Sequence, residues 1–438
     1  MTGASSRFVV MKLLDKMDKQ AYSNIALDSA LKDSDLSERD KSFASRLFYG
    51  VLERKLTLEH IISLYSSKPL HKLDGSVANI LKMGLYQLLY MDSVPDSAAV
   101  NESVALTKQA GKTSASGFVN AVLRSFIRDG KLIKYPDDSY EKMSIEYSCN
   151  ADIIKMLCAD YSNDDVRDLL ESSLTPHRTY IRVNTLKIDR DTLITKLNEQ
   201  GVSAERCPQD NDCIVTENMG SVEDSRLFKE GMFHVQDLSS QLCCRVLDPK
   251  PGEIVMDVCA APGGKTFTMA EIMGDTGKII ACDLHEKRVG LIKSGAERLG
   301  IGIIEAVRND AKILNDSFPK ADRILCDVPC SGFGVIRSKP ELKYTRPEDI
   351  KRLPEIQYEI LCSAARYLKE GGELVYSTCT LNRKENDEVI DRFLRENDGF
   401  EAAEVMAEFG NKGHKITIFP GRFNCEGFFI SKVRKVGR

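Results

Sequence analysis

Apolar residues recur three and four apart over roughly the first third of the chain. The stretches "LSERDKSFASRLFYGVLERKLTLEHIISLY" and "GSVANILKMGLYQLLYM" carry the pattern, and the loops between such runs are short. That spacing lines one face of a helix, so the chain from Met1 to Gly130 predicts a helical bundle. "IRDGKLIKYPDD" breaks the pattern and reads as a linker. Beyond it the signals mix: helical periodicity in "ADIIKMLCADYSNDDVRDLLESSL", a strand in "TYIRVNT", then a helix in "DRDTLITKLNEQG", together a short α/β module. From Met232 onward short apolar runs alternate with helical or loop segments. "EIVMDVCA", "KIIACD", "IIEAVRND", "DRILCDVP" and "GELVYSTCT" predict a parallel, doubly wound sheet, with "HKITIFP" and "EGFFISKVRK" as a late antiparallel pair. Three domains follow: 1–140 helical, 141–231 small α/β, and 232–438 Rossmann-like α/β.

Composition narrows the class. A chain of 438 residues exceeds one ordinary core. With 42% apolar and 29% charged residues, no tryptophan and no long uncharged apolar run, it reads as a globular protein outside the membrane. "MTGASSRFVVMKLLDKMDKQ" lacks the apolar block of a signal peptide, which points to the cytoplasm. Thirteen scattered cysteines form no C-x-x-C pair and no Cys/His cluster, so neither a disulfide framework nor a metal site is expected. A net charge of −4 excludes a surface basic all over but not local patches, such as "RTYIRVNTLKIDR", "RSKPELKYTR" and "SKVRKVGR".

Candidate chemistry lies along the predicted strand ends. "EIVMDV" runs into "CAAPGGKT" and then into a helix. A glycine-bearing turn there lets backbone amides and a helix N-terminus approach a ligand, which makes Cys259, Ala260, Ala261, Pro262, Gly263, Gly264 and Lys265 a candidate cofactor loop. The spacing fits neither G-x-G-x-x-G nor a phosphate-binding G-x-x-x-x-G-K-[ST] loop. Asp283 closes the next strand, where an acid can accept from both ribose hydroxyls of a nucleoside, and Arg288 follows as a further contact. Asp310 ends the third strand on the adenine side, and Asp327 ends the fourth. Cysteines stand just past two of these strands, Cys330 in "DVPCSGFG" and Cys379 in "YSTCTLN".

"DVCAAPGGKT", "DVPCSGFG…RSKPELKY", "YSTCTLNRKENDEVI" and "VQDLSSQ" together resemble the signature set of bacterial S-adenosylmethionine-dependent RNA cytosine-5 methyltransferases. The helical N-terminal region resembles the NusB-like RNA-binding domain of the branch acting on small-subunit (16S) rRNA. Carbon 5 of cytosine is a poor nucleophile, and addition of a thiolate at carbon 6 makes it enamine-like, so a cysteine is required. A base and an assisting group are then needed to release the product. The resemblance implies S-adenosylmethionine as cofactor, Cys379 as nucleophile and Cys330 as the residue assisting release. It further implies Asp327 bonded to the target base and touching the cofactor's methionine part, with Lys265 organising the site.

Asn382 and Glu385 have the spacing of a helix cap and its capping acid, which would put Cys379 near a helix dipole that favours its thiolate. Arg337, Lys339 and Lys343 are expected to brace the RNA, which must present its cytosine unpaired or flipped out. The expected partner is small-subunit rRNA, taken by a monomer without metal or membrane. The same chemistry on transfer RNA or large-subunit rRNA, or a non-catalytic RNA-binding assembly factor, stays open. A nicotinamide dehydrogenase is disfavoured by the absence of G-x-G-x-x-G.

Overall fold

The computed structural model describes residues 5–17, 27, 30–32, 34–175, 178–405 and 413–437; the ends of the N-terminal segment read above and Arg438 lie outside them. Two compact units result. The first is Met1–Ala159 together with Lys339–Arg346, and the second is Asp160–Ser338 with Pro347–Arg438. Among the described residues no helix is long and apolar enough to cross a membrane.

The first unit is built around the helix Gly75–Tyr90, which Asp74 starts by accepting the Ser76 and Val77 N–H groups. Its apolar residues run nearly all round, so it is buried along most of its length, as a core helix must be. The helices Ser6–Met17, Glu38–Glu53, Lys55–Tyr65, Asp96–Gln109 and Ser116–Arg128 supply Val10, Phe48, Ile61, Leu106 and Phe126 to the same core. Ser37 caps Glu38–Glu53 by accepting from the Asp40 N–H.

The segment Lys339–Arg346 corrects one expectation. Lys343 is fully buried and donates to the Tyr147 carbonyl at 3.0 Å, so it is unavailable to RNA. Burial pulls its ammonium down to about 8. Beside it the Tyr344 hydroxyl donates to the Leu52 carbonyl and accepts the Lys55 N–H at 3.2 Å. This short turn anchors the unit rather than grips a ligand. Of the other two residues, Arg337 donates to Asn424 at 3.1 Å, and Lys339 is exposed.

In the second unit, β1 (Thr179–Val183), β2 (Ser203–Arg206), β3 (Cys213–Glu217) and β4 (Phe233–Val235) form an antiparallel sheet in the order β2-β3-β1-β4. The predicted strand "TYIRVNT" is β1, and the helix after it is Arg190–Glu199. Here too a basic reading is corrected: Arg182 is buried between carboxylates and faces no solvent.

The large sheet holds β5 (Ile254–Asp257), β6 (Lys278–Asp283), β7 (Ile304–Arg308), β8 (Ala321–Asp327), β9 (Leu368–Thr378), β10 (Phe400–Ala402), β11 (Lys415–Ile418) and β12 (Phe428–Lys435). Its order is β10-β12-β9-β8-β5-β6-β7, with β11 also on β12. Strands β7, β6, β5, β8 and β9 are parallel, and β11 and β12 pair antiparallel as their sequence implies. Val255, Ile279 and Leu325 lie in the core on one face of the sheet, and Met256, Ile280 and Ile324 in that on the other. The chain reverses its winding between β5 and β8, which opens a crevice at their carboxyl ends. Two cations of the C-terminal basic run are tied down in place, because Lys432 and Arg434 both pair with Glu373 at 2.7 Å.

Candidate active site

The crevice is lined from the β5 side by Cys259, Ala260, Ala261, Pro262, Gly264 and Lys265, and from the β8 side by Asp327. It encloses about 210 Å³. Gly263 sits at φ +117°, a conformation that a side chain would strain, and turns the chain into the helix Gly264–Ile272 with no side chain capping its first amides. The loop is tied from below by Thr266, whose hydroxyl donates to Asp257 at 2.7 Å. Burial pushes the Asp257 carboxyl up to about 7, and its second oxygen is buried without a hydrogen-bond partner.

Lys265 donates to Asp327 at 2.8 Å and stands over the Phe428 ring. Burial alone would lower its ammonium, but the adjacent Asp327, with Cys243 and Cys244 close by, leaves it well above the usual lysine range. The other Asp327 oxygen accepts the Ser377 hydroxyl at 2.8 Å, so its side chain has a fixed direction at the end of β8. Asp283 is almost fully buried at the end of β6, accepting the His285 N–H and pairing with Arg288 at 3.0 Å. Arg288 also donates to the Ala261 carbonyl at 2.7 Å, which braces the loop from the next strand. Asp310 follows β7 and accepts the Lys312 N–H.

The two cysteines meet. Cys330 Sγ and Cys379 Sγ are 3.2 Å apart, hydrogen-bonded and not joined, and all thirteen cysteines are free. The bond to Cys379, then burial, pushes the Cys330 thiol well up, and either sulfur can donate the shared hydrogen.

Asn382 and Glu385 cap no helix after Cys379. The helix after it is Asp387–Glu396, with Asn386 before it and no side-chain cap. Glu385 does not reach back to the backbone of Asn382. It is fully buried and accepts from Asn382 Nδ2 at 2.8 Å, from the Ser331 N–H at 2.9 Å and from Gln357 Nε2 at 2.9 Å.

Close backbone approach holds the cysteine loops together. Gly334 N–H donates to the Cys379 carbonyl at 2.9 Å, and Gly427 N–H donates to the Gly334 carbonyl at 2.8 Å. A Cβ on Gly334 would stand 2.0 Å from the Gly427 oxygen. Gly334→Ala is therefore expected to destabilise the protein by about 1–3 kcal/mol in thermal melting. Gly290→Ala, in a helix with open space, should be neutral or stabilising by roughly 0.5–1 kcal/mol.

Several lining residues escaped the sequence reading: Gln236, Asp237 and Ser240 border the cavity, and Asp257 lies beneath the loop. Their signal was the run "VQDLSSQ" ahead of β5 and the first letter of "DVCAAPGGKT". Among the described residues no cluster of side chains could hold a metal.

Comparison with known proteins agrees along the whole chain. Residues 244–434 match the family described as 16S rRNA methyltransferase RsmB/F, residues 4–128 match the NusB family, and residues 153–223 match a ferredoxin-like domain of RsmF/B-like methyltransferases. The chain is 38% identical to the Bacillus subtilis protein named "Probable ribosomal RNA small subunit methyltransferase B", covering 100% of both. The crystal structure of PH0851 superposes with a TM-score of 0.85 at 26% identity, over 98% of this chain and 99% of that one. NSun6 from Pyrococcus horikoshii, solved with SFG, gives a TM-score of 0.59 at 24% identity over 65% of this chain and 98% of that one.

Proposed function

We propose a division of labour among the site residues of this chain, which belongs to the ribosomal RNA small subunit methyltransferase B family and transfers methyl groups from S-adenosylmethionine to rRNA. The target is carbon 5 of a cytosine in 16S rRNA, methylated in the cytoplasm by a monomer. The domains divide the work as 1–140 for RNA, 141–231 as a small RNA-facing module and 232–438 for catalysis. The observation that carries this reading is the pair of sulfurs 3.2 Å apart at two adjacent strand ends, beside the Lys265–Asp327 pair and the crevice.

The crevice suits the cofactor because its glycine-bearing floor leaves the first amides of a helix uncapped and Asp327 closes one wall. The loop from Cys259 to Lys265 would hold it, with Asp283 toward the ribose, Asp310 toward the adenine, Arg288 bracing the loop and Asp327 near the methionine part. When bound it supplies an electrophilic methyl group on a sulfonium.

Cys379 adds as a thiolate to carbon 6 of the cytosine, and the π-electron pair moves to give carbon 5 its nucleophilic character. Asp327, held by Lys265 and Ser377, accepts a hydrogen bond from the base and so orients the ring for that addition. After methylation a base removes the carbon 5 proton, the pair returns to the ring and the sulfur–carbon bond breaks. The Cys330 S–H stabilises the departing Cys379 thiolate by hydrogen bonding.

The test is incubation with labelled S-adenosylmethionine and naked small-subunit rRNA, followed by mapping of 5-methylcytosine. Label at one cytosine is expected. No incorporation by folded protein would overturn the reading, and label only in transfer RNA or large-subunit rRNA would move the substrate.

A further inference from the structure

Each cysteine is bracketed by a separate set of hydrogen bonds, and the two sets originate from adjacent residues. The Glu385 carboxylate accepts the Ser331 N–H at 2.9 Å and the Ser331 hydroxyl at 2.5 Å, just after Cys330. It also accepts from Gln357 Nε2 at 2.9 Å, and the same nitrogen donates to the Pro329 carbonyl at 3.0 Å, just before Cys330. With Asn382 Nδ2 as a fourth donor, the acceptor capacity of this carboxylate is filled.

Asn386 does the equivalent for the other cysteine. Its Oδ1 accepts the Thr378 hydroxyl at 2.6 Å and its Nδ2 donates to the Thr380 carbonyl at 2.9 Å, on either side of Cys379. The Tyr376 hydroxyl donates to the Glu385 carbonyl and holds the turn that carries both residues. Ser331 and Thr380 hydroxyls, 2.7 Å apart, link the two brackets. Glu385 and Asn386 are fully buried.

We propose that Glu385 and Asn386 are positioning residues with separable roles, Glu385 placing Cys330 for product release and Asn386 placing Cys379 for attack. This rests on the assignment of the two cysteines made above. The physical basis is the precision such a site needs: a sulfur displaced by a fraction of an ångström loses its line to carbon 6 or to its neighbour. Both residues act on the residues flanking each cysteine, through backbone and side-chain groups.

Isosteric variants separate the roles. In Glu385→Gln an amide NH2 must replace one oxygen: at Oε2 it meets the Ser331 N–H, which cannot reverse, and at Oε1 it meets Asn382 Nδ2, whose own oxygen already accepts the Lys384 N–H. In Asn386→Asp a carboxylate oxygen faces the Thr380 carbonyl with no hydrogen between them.

Single-turnover reactions with S-adenosylmethionine and small-subunit rRNA, quenched onto denaturing gels, read covalent protein–RNA adduct against time. Glu385→Gln is expected to form adduct at the parental rate and resolve it roughly ten- to a hundredfold more slowly, so adduct accumulates. Asn386→Asp is expected to form it more slowly by a similar factor and to accumulate none.

Cys330→Ala is the control for the underlying assignment: if it accumulates no adduct, the cysteine roles are wrong. If it accumulates adduct and Glu385→Gln does not, or if both isosteric variants slow formation alike, the positioning proposal is overturned. Combining Glu385→Gln with Cys330→Ala should add nothing to Cys330→Ala alone, a non-additivity that general destabilisation would not produce. Should Glu385→Gln fail to fold, Gln357→Leu, which removes the Pro329 side of the bracket and one of the four donors to the Glu385 carboxylate, carries the same expectation with a smaller delay in release.

Discussion

Cys379→Ala is expected to abolish methyl incorporation, by on the order of a thousandfold or more, whereas Cys330→Ala should leave the protein covalently attached to its RNA when cofactor is present. The asymmetry follows from the roles proposed for the two sulfurs. They lie 3.2 Å apart, close enough for either to donate the shared hydrogen to the other. In the proposed reaction Cys379 is the sulfur that attacks and Cys330 the one that donates to it as it leaves. Removing the attacker stops the reaction before any bond forms. Removing the donor leaves attack and methylation possible but takes away the group that stabilises the departing thiolate. Methyl incorporation and a denaturing gel of the same reaction distinguish the two. An adduct trapped by Cys379→Ala and absent from Cys330→Ala would reverse the roles.

The parts of this site that were legible in the sequence are those fixed by local pattern. Strands β5 to β9 show as short apolar runs, and their ends show as polar or glycine-bearing clusters, because a parallel sheet buried on both faces needs continuous apolar strands and binds at its carboxyl edge. The misread residues are those whose partners lie far away along the chain. Glu385 stands three residues after Asn382 and looks like a capping acid, yet its carboxylate is taken by Ser331 and Gln357, and the helix starts only at Asp387. Lys343 sits among charges in "RSKPELKY" and looks solvated, but the carbonyl that receives it belongs to Tyr147. In each case the local spacing was compatible with an exposed role, and only the tertiary partner decides otherwise.

Arg182 is the most consequential of these misreadings, and Arg182→Met is expected to cost about 3–5 kcal/mol, on the order of 10 °C in the melting transition of the second unit. Arg182 is 1% exposed, and its guanidinium meets Glu271 at 2.8 Å, Asp212 at 3.0 Å and Asp210 at 3.7 Å. Glu271 and Asp210 are themselves buried, so removing the cation leaves Glu271 beside the His234 ring at 3.5 Å and Asp210 beside Arg245 at 3.5 Å, each with its charge less well compensated and away from water. Glu271 lies on the helix Gly264–Ile272 that begins at the cofactor loop, and Arg182 lies on β1, so this contact ties the small antiparallel sheet to the floor of the crevice. Arg182→Lys should recover little, because a point-like ammonium cannot serve Nε and both terminal nitrogens at once. The discriminating measurement is the double replacement Arg182→Met with Glu271→Leu. If the penalty comes from stranded charge, calorimetry should find the double variant more stable than Arg182→Met alone; if the penalty comes from lost packing, the second substitution should make it worse.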